Sequence, residues 1–253
     1  MMTTFSATME GLIVTKRYIR TFALCLLLVV GLASTVSANT ARSTWIEGDG
    51  YFNSTSSTSA KGYATTYAYQ LGMGAAEWIE ARVDIFKGGT WIDIDSWLTK
   101  AEQTVTNVTT SGNWQLTGWH FASWESGTVE DSCATYDPPL ALLAQPAYPE
   151  ITEYRIANPT TADWAEVSYI SSSQMLKAML DHKTGVALDR LFHSDLTRYL
   201  RPGDKVPILL IAPDKTQAIA LFFHGDGSIT EVRIDINEGR VGIASVQLLD
   251  TIR

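Results

Sequence analysis

The rhythm of hydrophobic and polar positions changes once along this chain. From residue 42 to about 130 it has period two. In Glu77 to Phe86, Ile79, Ala81, Val83 and Ile85 fall on one face of an extended strand, and Trp78, Glu80, Arg82 and Asp84 fall on the other. Tyr63, Thr65, Tyr67 and Tyr69 share a face of the preceding strand. Lys87-Gly88-Gly89-Thr90 turns the chain, and Ile92, Ile94 and Leu98 line the inner side of the next strand. Val105 to Thr109 predicts another strand, and Asn113 to Ser123 a long one that ends at Glu125-Ser126-Gly127. Trp45 to Phe52, with Asp49-Gly50 as its turn, predicts a short hairpin, and Ser54 to Ser59 a polar loop. Short strands at this spacing predict a β-sandwich.

The rhythm then turns helical. Ser171-Ser172-Ser173 offers N-caps, Met175, Leu176, Met179 and Leu180 recur at helical spacing, and Gly185 interrupts them. Leu188, Leu191, Phe192, Leu196, Tyr199 and Leu200 resume the apolar stripe until Pro202-Gly203. Four strands follow, at 206–212, 217–223, 229–235 and 241–249, separated by Pro213-Asp214-Lys215, His224-Gly225-Asp226-Gly227 and Asn237-Glu238-Gly239. They predict a four-stranded antiparallel meander with helices on one face. Two proline-marked stretches, Tyr136-Asp137-Pro138-Pro139 and Gln145 to Pro149, read as an extended connection. The expected organisation is mainly β with an α+β part: a leader at 1–38, a sandwich at 42–130, a connection at 131–150 and an α+β domain at 151–253.

The Tyr-rich strand, then Ala81 to Gly89, then Ser111-Gly-Asn-Trp-Gln-Leu-Thr-Gly-Trp-His120 resembles secreted bacterial immunoglobulin-like β-sandwich proteins of unassigned activity. In those, one strand ends in a glycine turn and a later Gly-x-aromatic-x-aliphatic-x-Gly-x-His strand returns across the core. The resemblance covers about 42–126. It implies a fold and no activity. The paired cysteines of antibody domains are absent.

The leader bears on destination. Lys16, Arg17 and Arg20 precede an apolar run from Phe22 to Ala33, and Val36-Ser37-Ala38 supplies small residues for cleavage before Asn39. The run is short for a membrane span. Export by a cleaved signal peptide is expected, leaving no membrane anchor. Cys25 would leave with the leader, so Cys133 would be the only mature cysteine and no internal disulfide could form. A third function class, a structural envelope or matrix component, would use Cys133 for self-association. Lys plus Arg is 19 and Asp plus Glu 27, for a net charge of −8. An acidic chain with no basic stripe argues against nucleic-acid and anionic-membrane partners.

Candidate chemistry is sparse. No Gly-x-Ser-x-Gly elbow, phosphate cradle or paired-histidine zinc spacing occurs. Asp93-Ile-Asp95 opens like a calcium loop, but Trp97 and Leu98 stand where oxygen and glycine are needed. No cofactor, metal or catalytic residue is therefore assigned. His193-Ser194-Asp195 lies on consecutive helical positions and cannot form a relay within itself. A hydrolase would have to gather His120, His193 or His224 with acids such as Asp131 and Asp195 across the junction of the two parts. The aromatic positions say more. Strand period places Trp91, Asp93, Asp95 and Trp97 on one face, and Trp78 lies with Glu80 on the polar side of its own strand. Outward Trp rings beside carboxylates suit a sugar; the alternative is that the second half of the chain covers them. The expectation is a non-enzymatic binding or cell-surface interaction protein. Its extracellular ligand or surface partner is unidentified, a glycan is among the candidates, and contact falls at Trp78, Trp91, Asp93, Asp95 and Trp97.

Overall fold

The period-two half forms eight strands: β1 Val36–Arg42, β2 Ile46–Thr55, β3 Ser59–Ala68, β4 Trp78–Lys87, β5 Thr90–Thr99, β6 Gln103–Thr110, β7 Gln115–Trp124 and β8 Val129–Asp137. They sort into two four-stranded sheets, β1-β2-β3-β6 and β5-β4-β7-β8. The computed structural model describes residues 36–55, 59–69, 75–87, 90–99, 103–110, 115–137 and 148–250. The expected leader lies outside them, apart from Val36, Ser37 and Ala38 at the start of β1.

The inner row of β4 packs as its alternation requires. Ala81, Val83 and Ile85 meet Ala64 of β3 and Leu116 of β7, while Ile79 joins Ile46, Ala122, Trp124 and Cys133. Each large aliphatic side chain buried this way stabilises the sandwich by about 1.5–3 kcal/mol. One polar group shares this interior. His120 on β7 is fully buried, with Thr66 Oγ1 3.0 Å from Nδ1 and Thr135 Oγ1 3.1 Å from Nε2. Gly48 makes room for it: a Cβ there would lie 2.2 Å from His120 Cδ2.

Asp49-Gly50 is no hairpin turn. Both residues lie inside β2 and pair with Thr65 and Ala64 of β3. Ten paired positions outweigh the local turn preference of one dipeptide. Residues 131–137, expected to begin the connection, belong to β8, which pairs with β7 throughout.

The second half builds a five-stranded sheet, ordered β13-β12-β11-β10-β9, from β9 Ala165–Ser168, β10 Ile208–Ile211, β11 Gln217–Phe223, β12 Ile229–Asn237 and β13 Arg240–Leu249. Strands β10 to β13 are the expected meander, and β9 adds an edge strand that the sequence reading lacked. Glu238 and Gly239 both have positive φ, the geometry of a two-residue hairpin turn matched to strand twist. The helices are α1 Pro149–Ala157, α2 Ser172–Met179 and α3 His182–His193. They are not confined to one face. Phe222 meets Phe192 of α3, whereas its neighbour Phe223 stacks on Tyr148 at the start of α1, and adjacent strand residues point to opposite faces.

Gly185 does not interrupt the helix. It lies within α3, and the break falls at Leu180-Asp181, where Asp181 accepts the Thr184 N–H at 3.0 Å as N-cap. A Cβ on Gly185 would sit 3.1 Å from the Leu176 carbonyl oxygen, so this glycine lets α2 and α3 approach closely. The apolar stripe beyond His193 continues in a short 3₁₀ turn, Asp195–Tyr199. Residues 37–253 form one compact unit.

Candidate functional site

The outer row of β4 carries Trp78, Glu80, Arg82 and Asp84, and β7 sets Ser123, Phe121, Trp119 and Thr117 opposite them in register. This face runs from the surface to the middle of the molecule, and α3 lies over it. Charge and aromatic groups therefore line one continuous path.

Its deep end is a closed polar network. Asp189 of α3 accepts hydrogen bonds from Trp119 Nε1 at 2.9 Å, Ser172 Oγ at 2.8 Å and Ser173 Oγ at 2.7 Å. The serines at the start of α2 thus turn toward Asp189, and the helix has no side-chain N-cap bond. Ser172 Oγ also lies 2.7 Å from His193 Nε2. Tyr169 donates to Asp84 at 3.2 Å, and His193 Nδ1 stands 3.9 Å from the same carboxylate, beyond hydrogen-bond length. Burial pushes Asp84 up to about 6, against the opposing pull of Arg82, and pushes His193 down to about 4. Ser172, Asp84, Asp189 and His193 are all buried. Serine and histidine meet here as a hydrolase would require, but in the closed interior, where their partners hold the halves of the chain together.

Between the deep end and the surface the rings stack. His193 lies 5.3 Å from Trp119 at 11°, and Trp119 lies 5.6 Å from Phe121 at 8°. The Arg82 guanidinium stands over Trp119 and that of Arg190 over Phe121.

The path opens into a cleft of about 550 Å³. Trp78, Glu80, Phe121, Glu130, Arg190 and Asp195 line it, together with Glu77 near its edge. Trp78 is 39% exposed. Glu130 of β8 and Arg190 of α3 form an ion pair. Glu80 is only 8% exposed, and its nearest cation is Arg82 at 4.0 Å. Burial holds the Glu80 carboxyl above the usual carboxylate range; the Asp195 charge adds to this, and Arg82 and Arg190 oppose it. Burial likewise raises Glu130, with Arg190 pulling the other way.

The remaining expected positions are dispersed. Trp91 is 6% exposed and packs in the core of the second half, and its backbone bonds Gly203 and Asp204. The β4–β5 register shifts between Ile85 and Phe86, which breaks the two-residue rhythm between Trp91 and Asp93. Asp93, Asp95 and Trp97 lie in β5, and their side chains lie outside the described residues. Of the two expected contact residues whose side chains are described, Trp78 is placed at the cleft and Trp91 is not.

Other polar candidates are held in structural roles. His224 bridges Asp204 at 2.9 Å and Thr230 at 2.7 Å within a buried turn. Asp131 is buried and accepts from Ser43 Oγ at 2.5 Å and the Trp45 backbone N–H at 2.7 Å, tying β8 to the β1–β2 turn. Cys133 is buried, its thiol pushed up by burial, with Sγ 3.6 Å from the Ala41 carbonyl. Among the described residues no group of three potential ligands could hold a metal ion, and no helix is long and apolar enough to cross a membrane. No protein-family model matches this chain, and no curated protein or solved structure shows significant similarity to it.

The sequence reading missed Glu130, Arg190 and Asp195 as cleft residues, and Ser172 and Asp189 as network residues. The alternation of Trp119 and Phe121 with His120 is the signal in the sequence that sets both rings on the strand face where the two sites are built.

Proposed function

We propose that this chain is an exported carbohydrate-binding protein that contacts its ligand at the Trp78 cleft. One observation carries the reading: an exposed Trp ring at the edge of a cleft whose walls hold half-buried and buried carboxylates and a guanidinium. An aromatic face takes the apolar side of a sugar ring, and charged acceptors and donors beside it take the hydroxyls. The pattern of Lys16 to Ala38 supports export. The strand order supports an immunoglobulin-like scaffold: β2, β3 and β6 neighbour one another in one sheet, with β5-β4-β7-β8 in the other.

The reading is tested with a glycan array and tryptophan-fluorescence titration of the hits, comparing the natural protein with Trp78→Ala. Loss of one stacking residue is expected to weaken binding by about tenfold or more. A silent array, or hits whose affinity is unchanged in Trp78→Ala, overturns it.

A further inference from the structure

The charge in the cleft is unbalanced. The one guanidinium among its described lining residues, on Arg190, is already paired with Glu130. That leaves the carboxylates of Glu80 and Asp195 around the same space. Glu80 is the unusual member. Its side chain is nine-tenths buried yet lines the cleft, and no hydrogen bond reaches its carboxylate among the described residues. Arg82 at 4.0 Å is too far to donate and stands instead over Trp119. A buried carboxylate without a donor carries a desolvation cost, and a cation entering the cleft would relieve it. An anionic ligand would add to it. Trp78 offers the second element of cation recognition, an aromatic ring next to the carboxylate.

Resting on the reading of the cleft as a sugar site, we infer that its ligand is an amino sugar with a free, protonated amine, and that the ammonium group pairs with Glu80 while the ring packs on Trp78. Neutral sugars fill the same space and offer Glu80 hydroxyls but no cation. Asp195 on the exposed lip adds long-range attraction without burial.

The test titrates the purified protein, by calorimetry at mildly acidic pH, with three tetramers: β-1,4-linked glucosamine, its fully N-acetylated form, and cellotetraose. The glucosamine tetramer is expected to bind about tenfold more tightly than the other two, the worth of one charge-assisted contact in a sheltered site. Glu80→Gln should abolish that preference, bringing the glucosamine tetramer level with cellotetraose, and Trp78→Ala should weaken all three. Asp195→Asn, at an exposed position, serves as a second variant should Glu80→Gln not fold, and is expected to reduce the preference in part. Equal binding of the three tetramers, or a preference that survives both carboxylate substitutions, overturns the amine inference and leaves the sugar-binding reading standing. No binding of any tetramer in a protein that is also silent on the array overturns both.

Discussion

His120 shows how one polar residue can sit in an apolar sandwich. Its neutral ring has a hydroxyl at each nitrogen, and burial moves it from 6.5 down to about 3. A histidine whose folded pKa is lowered contributes stability that is present above pH 6.5 and is lost as pH falls toward 3, because only the unfolded chain takes up the proton. Urea unfolding of the natural protein should therefore weaken over that window by up to about 1.4 kcal/mol per pH unit from this group, and the slope should be shallower in His120→Gln. The ring's position also fixes a glycine. With Cβ only 2.2 Å from the ring, Gly48→Ala should cost about 2–3 kcal/mol, seen as a lower urea midpoint. The Gly118-Trp119-His120 end of this arrangement was visible in the sequence as part of a strand motif. Its Gly48 end was not, because nothing local marks a contact with a ring that lies on another strand.

At the scale of elements, strand faces and turns were the legible features. β11 runs from Gln217 to Phe223 as expected, because turn residues close both of its ends. The inner row of β4 was readable because one face is uniformly aliphatic. Short or weakly patterned elements were not: β9 has four residues, and α1 buries only Ile151 and Tyr154. Gly185 misled for a physical reason. Its cost in helix propensity, about 1 kcal/mol, is offset by the close packing of α2 and α3 that it permits. Gly185→Val should therefore destabilise by about 1–3 kcal/mol in denaturant titration, although valine is the better helix former, because the added atoms meet the Leu176 backbone. A stabilised Gly185→Val protein would show that the helices are free to part.

At the scale of the whole molecule, the polar row of β4 is the feature that alternation alone misplaces. Glu80, Arg82 and Asp84 have the look of a solvent face, yet all three are buried, because the second half covers the same surface: Tyr169 donates to Asp84, Asp189 accepts from Trp119 and His193 stacks on Trp119. The sequence distance between the two sets hides the match. Both faces of the β4–β7 pair are thus covered, the inner by the opposing sheet and the outer by α3, and the second half cannot leave without exposing charge and aromatic rings. This predicts one unfolding transition for both halves. Seven of the eight Trp residues lie between Trp45 and Trp124, so fluorescence follows the sandwich, while α2 and α3 dominate the helical circular dichroism signal. The two curves should coincide in urea. Asp189→Ala, which leaves Trp119 Nε1, Ser172 and Ser173 without their common acceptor, should shift both curves together by about 3 kcal/mol or more. Two separate transitions, or a shift confined to the circular dichroism curve, would mean that the halves are independent domains, and the cleft built from β4, β7, β8 and α3 would then lose its fixed geometry.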